Sequence, residues 1–255
     1  MSAVFHTAAD LSIRAEKARL DSFRTNVEGT FNILELSRMF DVERVIFTSS
    51  LSVFGPKSMP VSEYSFRDPT TFYGATKACS EVLGTFYSYT HGLEFTAVRF
   101  PTLIGPYRRG MGASVTFSSF IDDAVISGKA VIRLPPETKN PVLYIRDAVD
   151  LLYLIYRARR VSSLYNVGGV PVSLSDLIEA VRARIPHFTP EFRLDATSEQ
   201  IAREWSALTE MAIKTNLIEK YREIKELNWR IRFDSADRIV EDHVSFLKSE
   251  LRKRG

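Results

Sequence analysis

The sequence predicts an α/β protein built on a parallel sheet with helical crossovers. Three observations carry this. The order of patterns over the first hundred residues is strand, long helix, strand, loop, helix, strand. Between the first two strands Phe23, Val27, Phe31 and Leu34 recur at helical spacing and form an apolar stripe. At 255 residues and 45% hydrophobic, the chain can bury a full core, as one or two domains.

Val4 to Ala9 reads as the first strand and Val45 to Ser50 as the second. The connection from Leu51 to Phe72 is rich in Pro, Ser and Gly, and its length marks it as a functional loop. A helix beginning at Tyr73 runs to His91-Gly92, where glycine is a stop signal, and Glu94 to Phe100 makes the third strand. Beyond Pro101 the glycines at 105, 110 and 112 mark an irregular loop before an amphipathic stretch, Phe117 to Ile126. Val142 to Ile145 and Leu164 to Val167 read as later strands flanking a helix after Arg146, with Gly168-Gly169 as a turn. The remainder is mostly helical, and Asp234-Ser235 offers an N-cap to the last helix.

Composition narrows the function classes. A formal charge of +3 is only mildly basic, and Leu251-Arg252-Lys253-Arg254 reads as a solvated tail rather than a nucleic-acid arm. Cys79 is the single cysteine, which excludes an internal disulfide, fits a reducing cytoplasm and predicts a packing role. The start carries no basic leader, and the best apolar helix, Leu151 to Tyr156, is interrupted by charges, so neither export nor membrane insertion is expected. His6, His91, His187 and His243 are scattered and no Cys-x-x-Cys occurs, so no metal site is expected. A Gly-x-Ser-x-Gly elbow is absent as well.

The most informative stretch is Tyr73-Gly74-Ala75-Thr76-Lys77. A helix of about 3.6 residues per turn brings Tyr73 and Lys77 onto one face. A phenol with a pKa near ~10 is a poor acid or base at neutral pH, but a nearby ammonium favours the phenolate. Tyr221 and Lys225 show the same interval in a charged segment that reads as solvated, so spacing alone does not single out a site. The first pair differs in following Thr48-Ser49-Ser50, hydroxyls at a strand end that can join the tyrosine at one substrate oxygen.

Together these segments resemble the extended short-chain dehydrogenase/reductase superfamily, which includes nucleotide-sugar epimerases, dehydratases and an L-threonine 3-dehydrogenase branch. The resemblance covers most of the chain. Val4-Phe5-His6-Thr7-Ala8-Ala9 looks like that family's fourth strand, Asn26-Val27-Glu28-Gly29-Thr30 like its asparagine-glycine-threonine helix motif, and Thr48-Ser49-Ser50 like its fifth strand end. Arg99-Phe100-Pro101-Thr102-Leu103-Ile104-Gly105-Pro106, Tyr144-Ile145-Arg146-Asp147-Ala148 and Tyr165-Asn166-Val167-Gly168-Gly169 match later signatures. The resemblance implies Tyr73 as general acid/base, Lys77 as holder of the nicotinamide ribose, and Ser50 as hydrogen-bond donor to the substrate oxygen, with Ser49 as the alternative partner. It implies NAD or NADP as cofactor, with His6, Ala8, Ala9, Asn26, Thr48, Phe100, Tyr73 and Lys77 on the cofactor side. Ser12, Ser50 and Thr102 are the implied contacts to a small-molecule substrate. A homodimer is implied through the helices of Arg14 to Met39 and Tyr73 to Tyr89. The implied fold is a Rossmann-type doubly wound parallel sheet. Residues 1–104 with 141–167 would form the dinucleotide-binding domain, and 105–140 with 168–255 a small, mostly helical substrate domain.

The pattern departs from the family at its start. No G-x-x-G-x-x-G or G-x-G-x-x-G occurs, so the turn that places backbone N–H groups on a dinucleotide pyrophosphate is absent. The family's first three strands are missing, which turns the Val4 strand into a hydrophobic sheet edge; a misassigned start, a truncated chain and a genuinely short protein all fit. Three readings stay open: a dehydrogenase like the threonine branch, a nucleotide-sugar epimerase or dehydratase, and a cofactor-free remnant. Arg108 and Arg109 are candidate diphosphate clamps for the second, whereas Asn140 stands where that group usually has its arginine. Glu137-Thr138-Lys139 with Pro141 and Tyr144, Ile185-Pro186-His187-Phe188-Thr189, Trp205 after Ile201-Ala202, and Leu11, Ser12 and Glu16 resemble the threonine branch.

Overall fold

The short apolar runs become strands in the computed structural model, which describes residues 2–55, 60–110 and 112–254, the side chains of Ser12, Ile13 and Arg254 excepted. In chain order the elements are β1 (Ala3–His6), α1 (Ser12–Lys17), α2 (Arg19–Phe23), a π-helical turn (Arg24–Glu28), α3 (Gly29–Met39), β2 (Arg44–Ser50), α4 (Phe72–His91) and β3 (Glu94–Phe100). There follow β4 (Thr102–Ile104), α5 (Ala113–Ser127), β5 (Lys129–Ile132), β6 (Lys139–Tyr144), α6 (Ile145–Arg157), β7 (Leu164–Asn166), β8 (Val170–Ser173) and α7 (Leu174–Arg184). The chain closes with β9 (Thr189–Phe192), α8 (Ala196–Lys214), α9 (Leu217–Lys220), β10 (Glu223–Ile224), β11 (Trp229–Arg230) and α10 (Ala236–Arg254).

The chain divides into two compact units. The first comprises Met1–Pro101, Asp150–Val167 and Ile224–Trp229. Its centre is a parallel sheet of order β1-β2-β3-β7, with Val4 opposite Val45, Phe47 opposite Ala97 and Val98 opposite Tyr165. This is the expected Rossmann-type sheet without its first strands, and β1 lies at its edge. Phe5 on that edge is exposed, and β1 is shorter than the expected Val4 to Ala9. Leu34, Val45, Phe47, Tyr87, Leu93, Phe95 and Ala97 form the core between sheet and helices. Close approach of α4 to β3 depends on Gly84, since a Cβ there would enter the Phe95 ring. Arg44, fully buried, spans Glu94 and the carbonyls of Ile155 and Tyr156, satisfying the open C-terminal end of α6.

The second unit comprises Thr102–Val149, Gly168–Glu223 and Arg230–Gly255. Its small sheet runs β4-β6-β8, with β6 parallel to β4 and antiparallel to β8, and a separate parallel pair joins β5 to β9. Residues 141–149, expected with the dinucleotide-binding segment, group here because β6 pairs with β4 and β8. Residues 224–229 group with the first unit, where Glu226 receives Ser162 and Tyr165. The helix stop at Gly92 (φ 69°) and the third strand lie where the sequence places them, and Ser235 caps α10 through the Arg238 amide.

Three local expectations fail. Phe23 and Phe31 of the apolar stripe are exposed while Val27 and Leu34 are buried, so the buried face is narrower than the spacing implies, and a π-helical turn interrupts the helix at Arg24–Glu28. Cys79 is exposed rather than packed. Tyr221 is buried rather than solvated, and it shares no helix with Lys225 because α9 ends at Lys220. No helix among the described residues is long and apolar enough to cross a membrane.

Candidate functional site

Helix α4 begins where its first N–H groups find acceptors. The Thr71 hydroxyl accepts from the Gly74 amide at 3.0 Å, and the Glu16 carboxylate accepts from the Phe72 amide at 2.6 Å. This fixes Tyr73 in the first turn and Lys77 one turn later, both buried. Gly74 is required at this start for a steric reason, because a Cβ would fall on the Ser52 carbonyl oxygen. The turn following Ser50 therefore packs directly beside Tyr73.

Lys77 lies against the end of β2. Its Nζ donates to the Thr48 carbonyl at 2.8 Å, stands 4.5 Å from the Phe47 ring centre and 5.8 Å from that of Tyr73. Burial lowers its pKa to about 8, against a smaller upward pull from Glu81. An ammonium has three N–H donors, and the bond to Thr48 uses one.

The two candidate serines point to different fates. Ser49 is buried and its hydroxyl donates to Glu81 at 2.6 Å. Ser50, half-buried, uses its Oγ within its own turn, accepting from the Ser52 amide and donating to the Ser52 hydroxyl, both at 3.1 Å. The alternation of a strand sends adjacent side chains to opposite faces, so the commitment of Ser49 leaves Ser50 as the accessible hydroxyl.

His6, at the end of β1, is buried with Nε2 2.9 Å from the Thr30 hydroxyl and its ring against Phe47. Thr48 donates to the His6 carbonyl at 3.3 Å. Asn26, in the π-helical turn, accepts from the Asp10 amide at 2.7 Å and donates to the Asp10 carbonyl and the Thr76 hydroxyl, each at 3.0 Å. Thr76 in turn donates to the Tyr73 carbonyl at 2.8 Å. Asn26 thus joins the segment after β1 to the helix of Tyr73 and Lys77. Ala8 is exposed, Ala9 half-buried and Phe100 buried. The side chain of Ser12 lies outside the described set. Thr102 belongs to the second unit, where its hydroxyl accepts from Asn140 at 2.7 Å.

Burial first, and the Lys77 charge second, lower the pKa of His6 from 6.5 to about 4. Above pH 6.5 the ring is neutral whether folded or unfolded. Between pH 6.5 and 4 the unfolded chain takes up a proton that the fold refuses, so stability declines as pH falls, by up to about 3 kcal/mol. His6→Gln is expected to remove that part of the acid limb. Urea midpoints at pH 7 and pH 5 test this, and an unchanged pH slope in the variant would count against it.

Sequence reasoning missed a buried charged cluster beside these groups. Glu81 and Arg99, both fully buried, are paired at 2.7 Å, and Arg67 adds a second guanidinium at 2.6 Å. The available signal was the spacing of Glu81, two turns beyond Tyr73 and one beyond Lys77 on the same helix face. Among the described residues no group of His, Cys, Asp or Glu is arranged to hold a metal ion.

A parallel sheet whose strand ends meet a helix carrying Tyr73 and Lys77 defines a Rossmann-type α/β protein with its polar groups at the carboxyl edge of the strands. The family model of the NAD dependent epimerase/dehydratase family matches residues 1–168, and the chain belongs to that family. The mitochondrial L-threonine 3-dehydrogenase of Sus scrofa is 29% identical over 208 residues, 79% of this chain and 56% of that protein. The chain therefore spans little more than half the length of that relative. The crystal structure of L-threonine dehydrogenase from Phytophthora infestans is similar at a TM-score of 0.79 and 26% identity, covering 98% of this chain and 80% of the other. A monomeric L-threonine 3-dehydrogenase from a metagenome shares the fold at a TM-score of 0.80 and 24% identity, over 98% and 79% of the two chains.

Proposed function

We propose that this chain carries the catalytic centre of an NAD(P)-dependent oxidoreductase acting on a secondary alcohol, in the manner of an L-threonine 3-dehydrogenase. The carrying observation is the buried Lys77 ammonium held between Thr48 and the face of α4 that bears Tyr73. The donor set fits the ribose and nicotinamide end of the cofactor. Lys77 has N–H donors beyond the one given to Thr48, and small, exposed Ala8 follows β1 at the edge where such sheets bind ligands. Nothing in this sequence supplies the glycine-rich pyrophosphate turn.

The bound cofactor supplies the hydride acceptor. Ser50, its hydroxyl hydrogen turned from Ser52 to the substrate, donates a hydrogen bond to the alcohol oxygen, and Tyr73 as phenolate takes the hydroxyl proton while the carbon loses its hydride. Lys77 holds the ribose and favours the phenolate by its charge. His6, neutral at pH 7, adds no competing cation beside Lys77. Asn26 acts by holding the β1 end to α4 rather than by touching the cofactor, since its carboxamide is engaged by Asp10 and Thr76. Under this reading the first unit is the dinucleotide-binding domain and the second, with Thr102, the substrate domain.

The nucleotide-sugar reading finds less support. Arg108, a candidate diphosphate clamp, bonds the carbonyls of Leu103 and Ser114 and the Ser114 hydroxyl. Arg109 pairs with Asp122 and Asp123, and Asn140 spends its amide on Thr102. Calorimetric titration of the folded chain with NAD and NADP tests the proposal. Saturable binding followed by turnover of L-threonine is the expected result, whereas no binding by a folded chain favours the truncated or cofactor-free reading.

Phe31, Leu36 and Met39 on α3 and Val82, Phe86 and Tyr89 on α4 are exposed, the face a homodimer would cover. Val82→Asp with Phe86→Asp is expected to convert dimers to monomers in sedimentation. A wild-type chain that already sediments as a monomer, as in the metagenomic relative, would refute the dimer.

A further inference from the structure

We propose that Glu81 is a positioning residue that sets the separation between the Ser50 strand end and the Tyr73–Lys77 helix. Its two oxygens receive four donors. Oε1 accepts from the Ser49 hydroxyl at 2.6 Å and Arg99 Nε at 2.8 Å. Oε2 accepts from Arg67 Nε at 2.6 Å and Arg99 Nη2 at 2.7 Å.

The three residues that supply these donors come from different parts of the site's frame. Ser49 immediately precedes Ser50 on β2. Arg67 belongs to the connection between Ser50 and Tyr73, and Arg99 Nη1 holds the same connection again through the Glu63 carbonyl at 2.9 Å. Arg99 also reaches Asn166 on β7 at 3.2 Å. Glu81 itself lies on α4, two turns from Tyr73. One carboxylate thus ties both ends of a long connection, and its middle, to one point.

Stability alone does not explain such a cluster. A buried ion pair replaced by apolar side chains of similar volume is often neutral or more stable, so stability gives no reason for charge at this point. Directed, two-oxygen acceptance specifies distances that an apolar contact would leave slack. The effect on turnover rests on the oxidoreductase reading, whereas the positioning does not.

Arg67→Met keeps the apolar stem, removes the donor, and lies at a partly exposed site that tolerates the change. Hydrogen exchange of the 60–71 amides is expected to quicken at least tenfold in this variant, with Arg67→Lys restoring much of the protection. In Glu81→Gln, carbon-13 NMR of the lysine side chains is expected to show Lys77 titrating below its value of about 8, since the Glu81 charge raises it. In an active preparation, kcat is expected to fall at least tenfold in Arg67→Met while KM for the cofactor stays within twofold. Should the wild type prove inactive, the function reading fails and the exchange measurements still decide the positioning, while the titration reports only that the Glu81 charge reaches Lys77. Wild-type exchange in Arg67→Met, or equal protection in the Met and Lys variants, overturns the proposal. If Glu81→Gln does not fold, the Arg67 pair decides alone.

Discussion

Tyr73→Phe is expected to lower turnover by about 10²–10⁴-fold while leaving the fold and cofactor affinity nearly unchanged. The phenol lies in the first turn of α4, and phenylalanine keeps the ring beside Lys77 while removing only the oxygen that the proposed mechanism uses to exchange a proton with the substrate. The proton and hydride must leave the alcohol nearly together, so the loss falls on kcat rather than on KM. Lys77→Met should act differently, because it removes both the charge that favours the phenolate and the donors to the ribose, raising cofactor KM as well. The measurement is initial rate of nicotinamide reduction with L-threonine, alongside calorimetric binding of the cofactor. Retention of turnover by Tyr73→Phe would remove the tyrosine from the chemistry.

Arg99→Met is expected to destabilise the chain by about 3–5 kcal/mol, the usual penalty for leaving one partner of a buried pair uncompensated. In a protein of this size that corresponds to a fall in Tm of roughly 6–20 °C. Burial pushes the Glu81 carboxyl up, but the bonds from Arg99, Ser49 and Arg67 outweigh it and hold the group below the usual carboxylate range. With Arg99 gone that balance reverses. Arg99→Met combined with Glu81→Leu should recover most of the loss, since an apolar pair of similar volume is often as stable as the ionic one. Thermal unfolding of the two singles and the double decides, and a single-variant loss below about 1 kcal/mol would show that the pair is not buried as described. Recovery of stability in the double variant without recovery of loop protection would separate the two roles of Glu81.

Helix α4 and strand β3 were legible because each signal is local. Helical spacing places Tyr73 and Lys77 on one face, and glycine at 92 permits the left-handed residue that ends the helix. The exposure of Phe23 and Phe31 was not legible, because helical spacing marks an apolar face without saying how much of its width the packed neighbours cover. Nor was the strand at Thr102–Ile104, whose three residues acquire meaning only by pairing with β6.

The sequence by itself determined the class of fold and the tyrosine, lysine and serine candidates, since periodicity, strand-end hydroxyls and motif order are properties of neighbouring residues. Only the tertiary structure decided that Ser49 is committed to Glu81 while Ser50 is accessible, and that Arg108 and Arg109 are already engaged. The physical reason is separation along the chain. Ser49 meets Glu81 32 positions away, and Arg44 caps a helix more than a hundred residues distant, so these partners are chosen by how the elements pack.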